Sequence, residues 1–293
     1  MSSLREVKDR IASVRSTLKI TSAMKLVASS KLRKAQRTIE ALRPYEKTLA
    51  KILSSLPPVP QAPVQAADDF GDGPCKPSRT VVLAFSSNTS MCGAFNANVS
   101  KLAVDTVSGL EGETEVWSFG RKMSDALKKA GLPAARDYSS LVAHPSSGEV
   151  ADISRELRDM HGRGEISGVL LVYNHFVSTG RQVATVERFL PFEGIAGDDA
   201  LLAAQDTEDD DRYILEPSAE ELRRHMIPQV LDLKLFAALL DSAAAEHAAR
   251  MVAMQAATDN ARDLLAELTL EYNKGRQQKI TAEILDIVGG SAA

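Results

Sequence analysis

Cysteine is nearly absent: among 293 residues only Cys75 and Cys92 carry thiols, in no CxxC spacing. That excludes a disulfide framework and gives a zinc site no support. Aromatic residues are 5% of the chain, with a single tryptophan. No run approaches the roughly 18 apolar residues that a membrane span needs, so the chain is not expected to cross a bilayer by itself. The signatures GxxxxGK[ST], GxGxxG, HExxH and GxSxG are all missing, which argues against the common nucleotide, metalloprotease and hydrolase sites. His144, His161, His175, His225 and His247 stand in no ligand spacing. No catalytic residue, metal or cofactor is therefore expected. The start, Met1-Ser2-Ser3-Leu4-Arg5-Glu6-Val7-Lys8, has neither an apolar h-region nor an acid-free presequence, so the chain reads as cytoplasmic and unprocessed.

What is present is distributed unevenly. The length suggests about two folding units. Residues 1–56 hold thirteen Lys/Arg against four Asp/Glu, a local charge of +9 in a chain of net charge −4. A basic first fifth calls for an acidic partner. Stepping by three and four from Leu4 reaches Val7, Ile11, Val14, Leu18, Thr21, Lys25, Ala28, Leu32, Ala35, Ile39, Leu42, Glu46, Leu49, Leu53 and Leu56; thirteen of these sixteen are apolar. A straight helix drifts about 20° per heptad against a 3.5-residue repeat, so only a left-handed supercoil keeps this seam on one partner. The segment would be roughly 80 Å long, with Pro44 a possible bend.

Prolines 57, 58, 60, 63, 74 and 77 end that helix in a linker, 57–80. An α/β segment, 81–212, follows. Val81–Phe85 and Val169–Tyr173 read as buried strands and Thr114–Phe119 as an alternating one, with helices near 95–109, 121–130 and 149–161 and an edge strand near 183–190. Strands alternating with short helices predict a small, Rossmann-like domain with a largely parallel sheet. Residues 193–211 hold eight acids and no Lys or Arg, the composition of a solvated loop. A C-terminal helical segment, 213–293, carries a capping box at Ser218 and Glu221 and Pro228 as a kink. Eleven of the residues 237–261 are alanine, and a looser seam runs Leu240, Ala244, His247, Met251, Met254, Thr258, Ala261, Leu265, Leu268, Tyr272. Two long terminal helices around a compact insert most simply pair antiparallel.

Local chemistry is sparse. Ser86–Phe95 connects a strand to a helix, but one glycine and no lysine make it a poor phosphate cradle. Cys92 reads better as a small buried hydrophobe than as a reactive thiol. The basic charges surround the first helix instead of forming one stripe, and Tyr45 is its only aromatic, so nucleic-acid binding is unsupported.

The two ends carry a resemblance. Ile11–Arg15, Thr17–Ala28, Glu246–Ala261 and Tyr272–Ile284, with the close Ile287-Val288-Gly289-Gly290, are similar to the gamma subunit of bacterial-type ATP synthase. The resemblance is dense over 2–56 and 213–290, includes Ser86–Asn98, and is weak between about 100 and 212. It implies a non-catalytic rotor: a coiled-coil shaft inside a ring of three alpha and three beta subunits, its α/β domain near the epsilon subunit and the membrane c-ring. Rotation would couple ion flow, with protons the expected ion, to ATP synthesis or hydrolysis, on the cytoplasmic face of the bacterial inner membrane. By position, Arg276, Gln277, Thr281 and Glu283 match residues that grip the catalytic subunits, and Met24 matches one facing them. Tyr213, Glu216 and Pro217 match the foot, where epsilon and the membrane ring dock. The residues alone would read Met24 as packing beside the seam and Arg276 as ordinary helix solvation. No pair like the chloroplast form's regulatory cysteines is present, so no thiol switch is expected. Lys25, on the seam, must snorkel, find a carboxylate or touch the ring. The alternatives are a coiled-coil adaptor of unrelated function and an α/β nucleotide-binding enzyme with helical arms.

Overall fold

The computed structural model describes residues 4–56, 79–192, 216 and 218–291. The expected linker at 57–80, apart from its last two residues, and the acidic loop at 193–211 lie outside them. Two helices dominate: α1 (Leu4–Ser55) and α6 (Ala219–Ser291), of 52 and 73 residues. Ser218 caps α6, its hydroxyl accepting the Glu221 N–H at 3.2 Å, as the capping box predicts. Pro44 and Pro228 both lie inside continuous helices.

The helices run antiparallel in one register. Leu4 lies on Gly275, Val7 and Ile11 on Leu268, Leu32 on Ala244 and Ala248, and Leu49 on Val230. Midway the Thr258 hydroxyl donates to that of Thr21 at 3.0 Å, both buried. All sixteen seam positions, fifteen in α1 and Leu56 just beyond it, are buried or half-buried. A 3.5-residue seam that stays covered along one partner is the geometry of a left-handed supercoil.

Between the helices lies one mixed sheet of order β3-β2-β1-β4-β5. Its strands are β1 (Thr80–Phe85), β2 (Thr114–Phe119), β3 (Arg136–Asp137), β4 (Gly168–Ser178) and β5 (Arg181–Leu190). The first four pair in parallel, and β5 forms the antiparallel edge. Central β1 is buried on both faces, which explains its unbroken apolar run. On one face α2 (Phe95–Gly109) and α3 (Arg121–Lys129) cover Val82, Ala84 and Val172. On the other, α4 (Ser139–Ala143) and α5 (Ser147–Gly162) share a core with α6, whose Leu231, Leu235 and Leu239 pack against Val81, Leu83 and Leu171. The base of α6 thus has two buried faces, one for the sheet and one for α1. At Gly120 (φ +113) a Cβ would come within 2.4 Å of the Ser86 carbonyl oxygen, so the turn into α3 admits only glycine.

Candidate functional site: the shaft tip and its joint to the sheet domain

The expected contact residues fall at three levels along the rod. Arg276, Gln277, Thr281 and Glu283 lie on the last turns of α6, past the point where Leu4 meets Gly275. No described residue of α1 stands opposite them, and every described side chain from 276 to 285 is exposed. The Thr281 hydroxyl donates to the Gln277 carbonyl at 2.9 Å, and Lys279 pairs with Glu283 at 3.8 Å. Both are local helix contacts, worth little at full exposure. Ile280, Ile284, Leu285 and Ile287 are 47%, 54%, 65% and 72% exposed beside them. In water such a face is unstable without a cover.

Met24 occupies another level. It is half-buried one turn past Thr21, in the stretch of α1 paired with the middle of α6, roughly 30 Å along the axis from the tip. Ile20, Leu26 and Val27 around it are more than half exposed. Lys25 is half-buried and makes no ion pair among the described residues, which fits a snorkelling stem. Glu216 is exposed just before α6 begins, roughly 85 Å from Arg276. Tyr213 and Pro217 lie outside the described residues. Thus tip, waist and foot are three separate surfaces.

The sequence reading missed the joint between shaft and sheet. Strands β2 and β3 lie to one side of β1 and β4 to the other, so the order reverses at β1/β4. In open α/β sheets the crevice beyond the carboxyl ends of such strands takes the ligand. Here α6 itself fills it: Ala245, fully buried, packs with Cys92, Phe95 and Phe176. Cys92 is buried, as expected of a small hydrophobe, and takes a 3.1 Å hydrogen bond from the Asn96 amide. Arg250 and Glu246, each 9% exposed, pair at 2.7 Å. The Arg250 guanidinium also donates to the Ser90 carbonyl and to the carbonyl and hydroxyl oxygens of Thr89. Two and a half turns away, Asp241 accepts the Phe176 backbone N–H at 3.1 Å and meets the His175 ring at 2.6 Å. Burial raises the Asp241 carboxyl above its ordinary range, against the lowering influence of His175. His247 on the α1-facing seam is shifted down by burial. The loop Ser86–Phe95 is thus a clamp for a helix, closed by its own chain.

A sequence signal for this joint exists: Glu246 and Arg250 are an i,i+4 charge pair inside an alanine-rich stretch, where solvation is an unlikely reason for charge. What the sequence withholds is the partner, some 160 residues earlier.

Comparison with known proteins fixes what this rod is. The ATP synthase family model matches residues 3–293. The ATP synthase gamma chain of Bacteroides thetaiotaomicron is 45% identical over 311 residues, covering 99% of each chain. That of Bacteroides fragilis is 46% identical over 301 residues, covering all of both. The chain belongs to the ATP synthase gamma-chain family. Its fold is similar to that of a chain in the rotor of the Euglena gracilis mitochondrial ATP synthase, with a TM-score of 0.65 at 18% identity over 94% of this chain and 98% of that one. The central stalk of the Tetrahymena thermophila enzyme gives 0.55 at 22% identity, over 81% and 99%. As a gamma chain it is a central-stalk subunit of ATP synthase, a membrane-associated complex; the complex is the enzyme and this subunit is not itself catalytic. A match over the whole chain leaves neither the adaptor nor the nucleotide-enzyme alternative standing. Among the described residues no helix is long and apolar enough to cross a membrane.

Proposed function

We propose that the tip and waist of this shaft turn inside a ring of three alpha and three beta subunits, while its foot docks the epsilon subunit and the membrane c-ring. The observation that carries this is the tip: a helix overhang with four apolar side chains about half exposed or more and, among the described residues, no partner helix. In this reading Arg276, Gln277, Thr281 and Glu283 hydrogen-bond the catalytic subunits, and Met24 touches them at the waist. Tyr213 and Glu216 belong to the foot. The basic exterior of α1 suits acidic surfaces on the ring.

One asymmetric rod cannot present the same face to three equivalent sites. Each catalytic subunit meets a different side, and the differential contact biases it among open and closed states. Ion flow, by protons, turns the rod and moves each site through those states in sequence; hydrolysis drives the reverse. The complex would sit on the cytoplasmic face of the bacterial inner membrane, with this chain peripheral to it. Reconstitution with purified alpha and beta subunits tests the reading. One copy should co-elute with a three-plus-three ring and change its steady-state ATPase; free elution, where a known gamma chain assembles, refutes it.

A further inference from the structure

We infer that Arg250 is a positioning residue for rotary coupling: it locks the sheet domain to the shaft so that the two turn as one body, without itself touching the ring. The inference rests on the rotor reading above.

The geometry is that of a fastening. The hydrogen bonds of Arg250 point inward, to Thr89 and Ser90 of the β1–α2 loop and to Glu246 on its own helix. Glu246 is equally buried and neutralises it, which is what lets a guanidinium sit there at all. Such a pair adds little net stability compared with an apolar pair of similar volume, but it fixes register. The loop it holds is shaped for the purpose. Met91 and Gly93 adopt left-handed backbone at φ 67 and 60, and the Ser87 N–H and the Asn88 amide tie the loop back to Asn96 and Ser139. Asp241 supplies a second tie, to β4, about 13 Å along the same helix. The core around Leu231, Leu235 and Leu239 already seats the sheet domain on the base of α6, and with one tie beyond that base the loop end of the domain could still rock. Two ties with the apolar seat of Ala245 between them oppose both rocking and twist, and torque entering at the foot then reaches the tip without being lost in the joint.

The test places spin labels at Lys101→Cys, on the exposed face of α2, and Val252→Cys, exposed on the shaft, in the full chain with Cys75→Ser and Cys92→Ala. Arg250→Ala should at least double the width of the inter-label distance distribution. Arg250→Lys keeps the charge beside Glu246 but not the forked reach, and should behave like the alanine variant. Thr89→Ala removes one acceptor while leaving the buried pair intact, so it folds even where Arg250→Ala does not, and it should give intermediate broadening. In membrane vesicles holding the assembled enzyme, Arg250→Ala should lower ATP-driven ion pumping at least threefold with ATP hydrolysis within twofold of the unsubstituted enzyme. An unchanged distribution in both Arg250→Ala and Thr89→Ala overturns the lock. Broadening with undiminished pumping overturns its role in coupling and leaves the rotor reading intact. If the unsubstituted chain does not assemble, it is the rotor reading that fails, and the distance result in the free chain still decides whether the lock exists.

Discussion

Leu32 and Ala248 meet between the two long helices, and exchanging them tests whether the coil is held by fit or merely by hydrophobicity. Leu32 is 5% exposed and packs on Ala244 and Ala248, both fully buried. Leu32→Ala leaves a space that two continuous helices cannot collapse into. It should cost about 2–3 kcal/mol, the lower part of the range for such truncations, because the site is flanked by half-buried Ala35 and Ile39 and not by a deep core. Ala248→Leu inserts three carbons into a filled space and should cost about 1–3 kcal/mol. Independent effects would sum to roughly 3–6 kcal/mol. The double variant carries its volume across the interface and, as a volume-conserving swap, should lose no more than about 1.5 kcal/mol. The coupling energy is then at least about 1.5 kcal/mol. Urea unfolding followed by far-UV circular dichroism, with the slope checked for constancy across the four chains, gives all the terms. Additivity within about 0.5 kcal/mol would show that Leu32 and Ala248 share no packing space and would refute their packing against each other.

Further expectations concern charge and contact. Burial holds Asp241 above its ordinary value of 3.8. The folded chain therefore keeps that proton longer than the unfolded one, and stability falls as pH rises from 3.8 through the raised value; Asp241→Asn should flatten this part of a plot of urea midpoint against pH. His247 is displaced the other way from 6.5, so the stability its neutral ring allows is present above 6.5 and is lost as pH falls from 6.5 through the lowered value. His247→Gln should abolish that acid-side loss, and an unaltered slope would place it on another group. Met24→Lys puts a second charge beside Lys25 at a half-buried, solvent-reachable position; ATP-driven ion pumping should drop while the melting temperature holds, and normal pumping would remove Met24 from the contact surface. Deleting 276–293 removes no residue that a described part of α1 covers, so melting should be unchanged and ring assembly weakened; intact assembly would move the grip elsewhere.

The long helices were legible because a coiled coil writes its contact in local spacing: each seam residue of α1 announces its own burial, down to Thr21 and Lys25, which interrupt the apolar run. The β1 and β4 runs were legible because Val81–Phe85 and Val169–Val172 are unbroken apolar stretches, and β2 because Thr114–Phe119 alternates with the two-residue period of a strand. The strand β3, two residues Arg136 and Asp137, has no period at all, and α4 is too short for one. The tip residues came from the family motif, since exposure alone cannot separate a grip from ordinary solvation. The joint stayed hidden because Arg250 and Asp241 are defined by partners on a distant loop and strand, and no local pattern encodes such a pairing.

Burial along α6 also explains how one helix can be both anchored and in need of a partner. At its base, Leu231 and Leu235 enter the sheet core while Val230 and Leu233 meet α1, so removing either neighbour leaves the other. Near the middle, Ala245 and Ala248 still divide between sheet loop and α1. By Leu268 only α1 remains, through Val7 and Ile11, and past Gly275 no described residue covers the helix. Local opening free energy scales with such packing, so it must fall from foot to tip in the free chain. A ligand that binds only the ordered form stabilises most where order is least complete. Assembly should therefore protect the amides of the last turns far more than those of residues 226–250, which are already held by their own chain. Hydrogen exchange on free and assembled chains measures this gradient, and equal protection gained at foot and tip would contradict it.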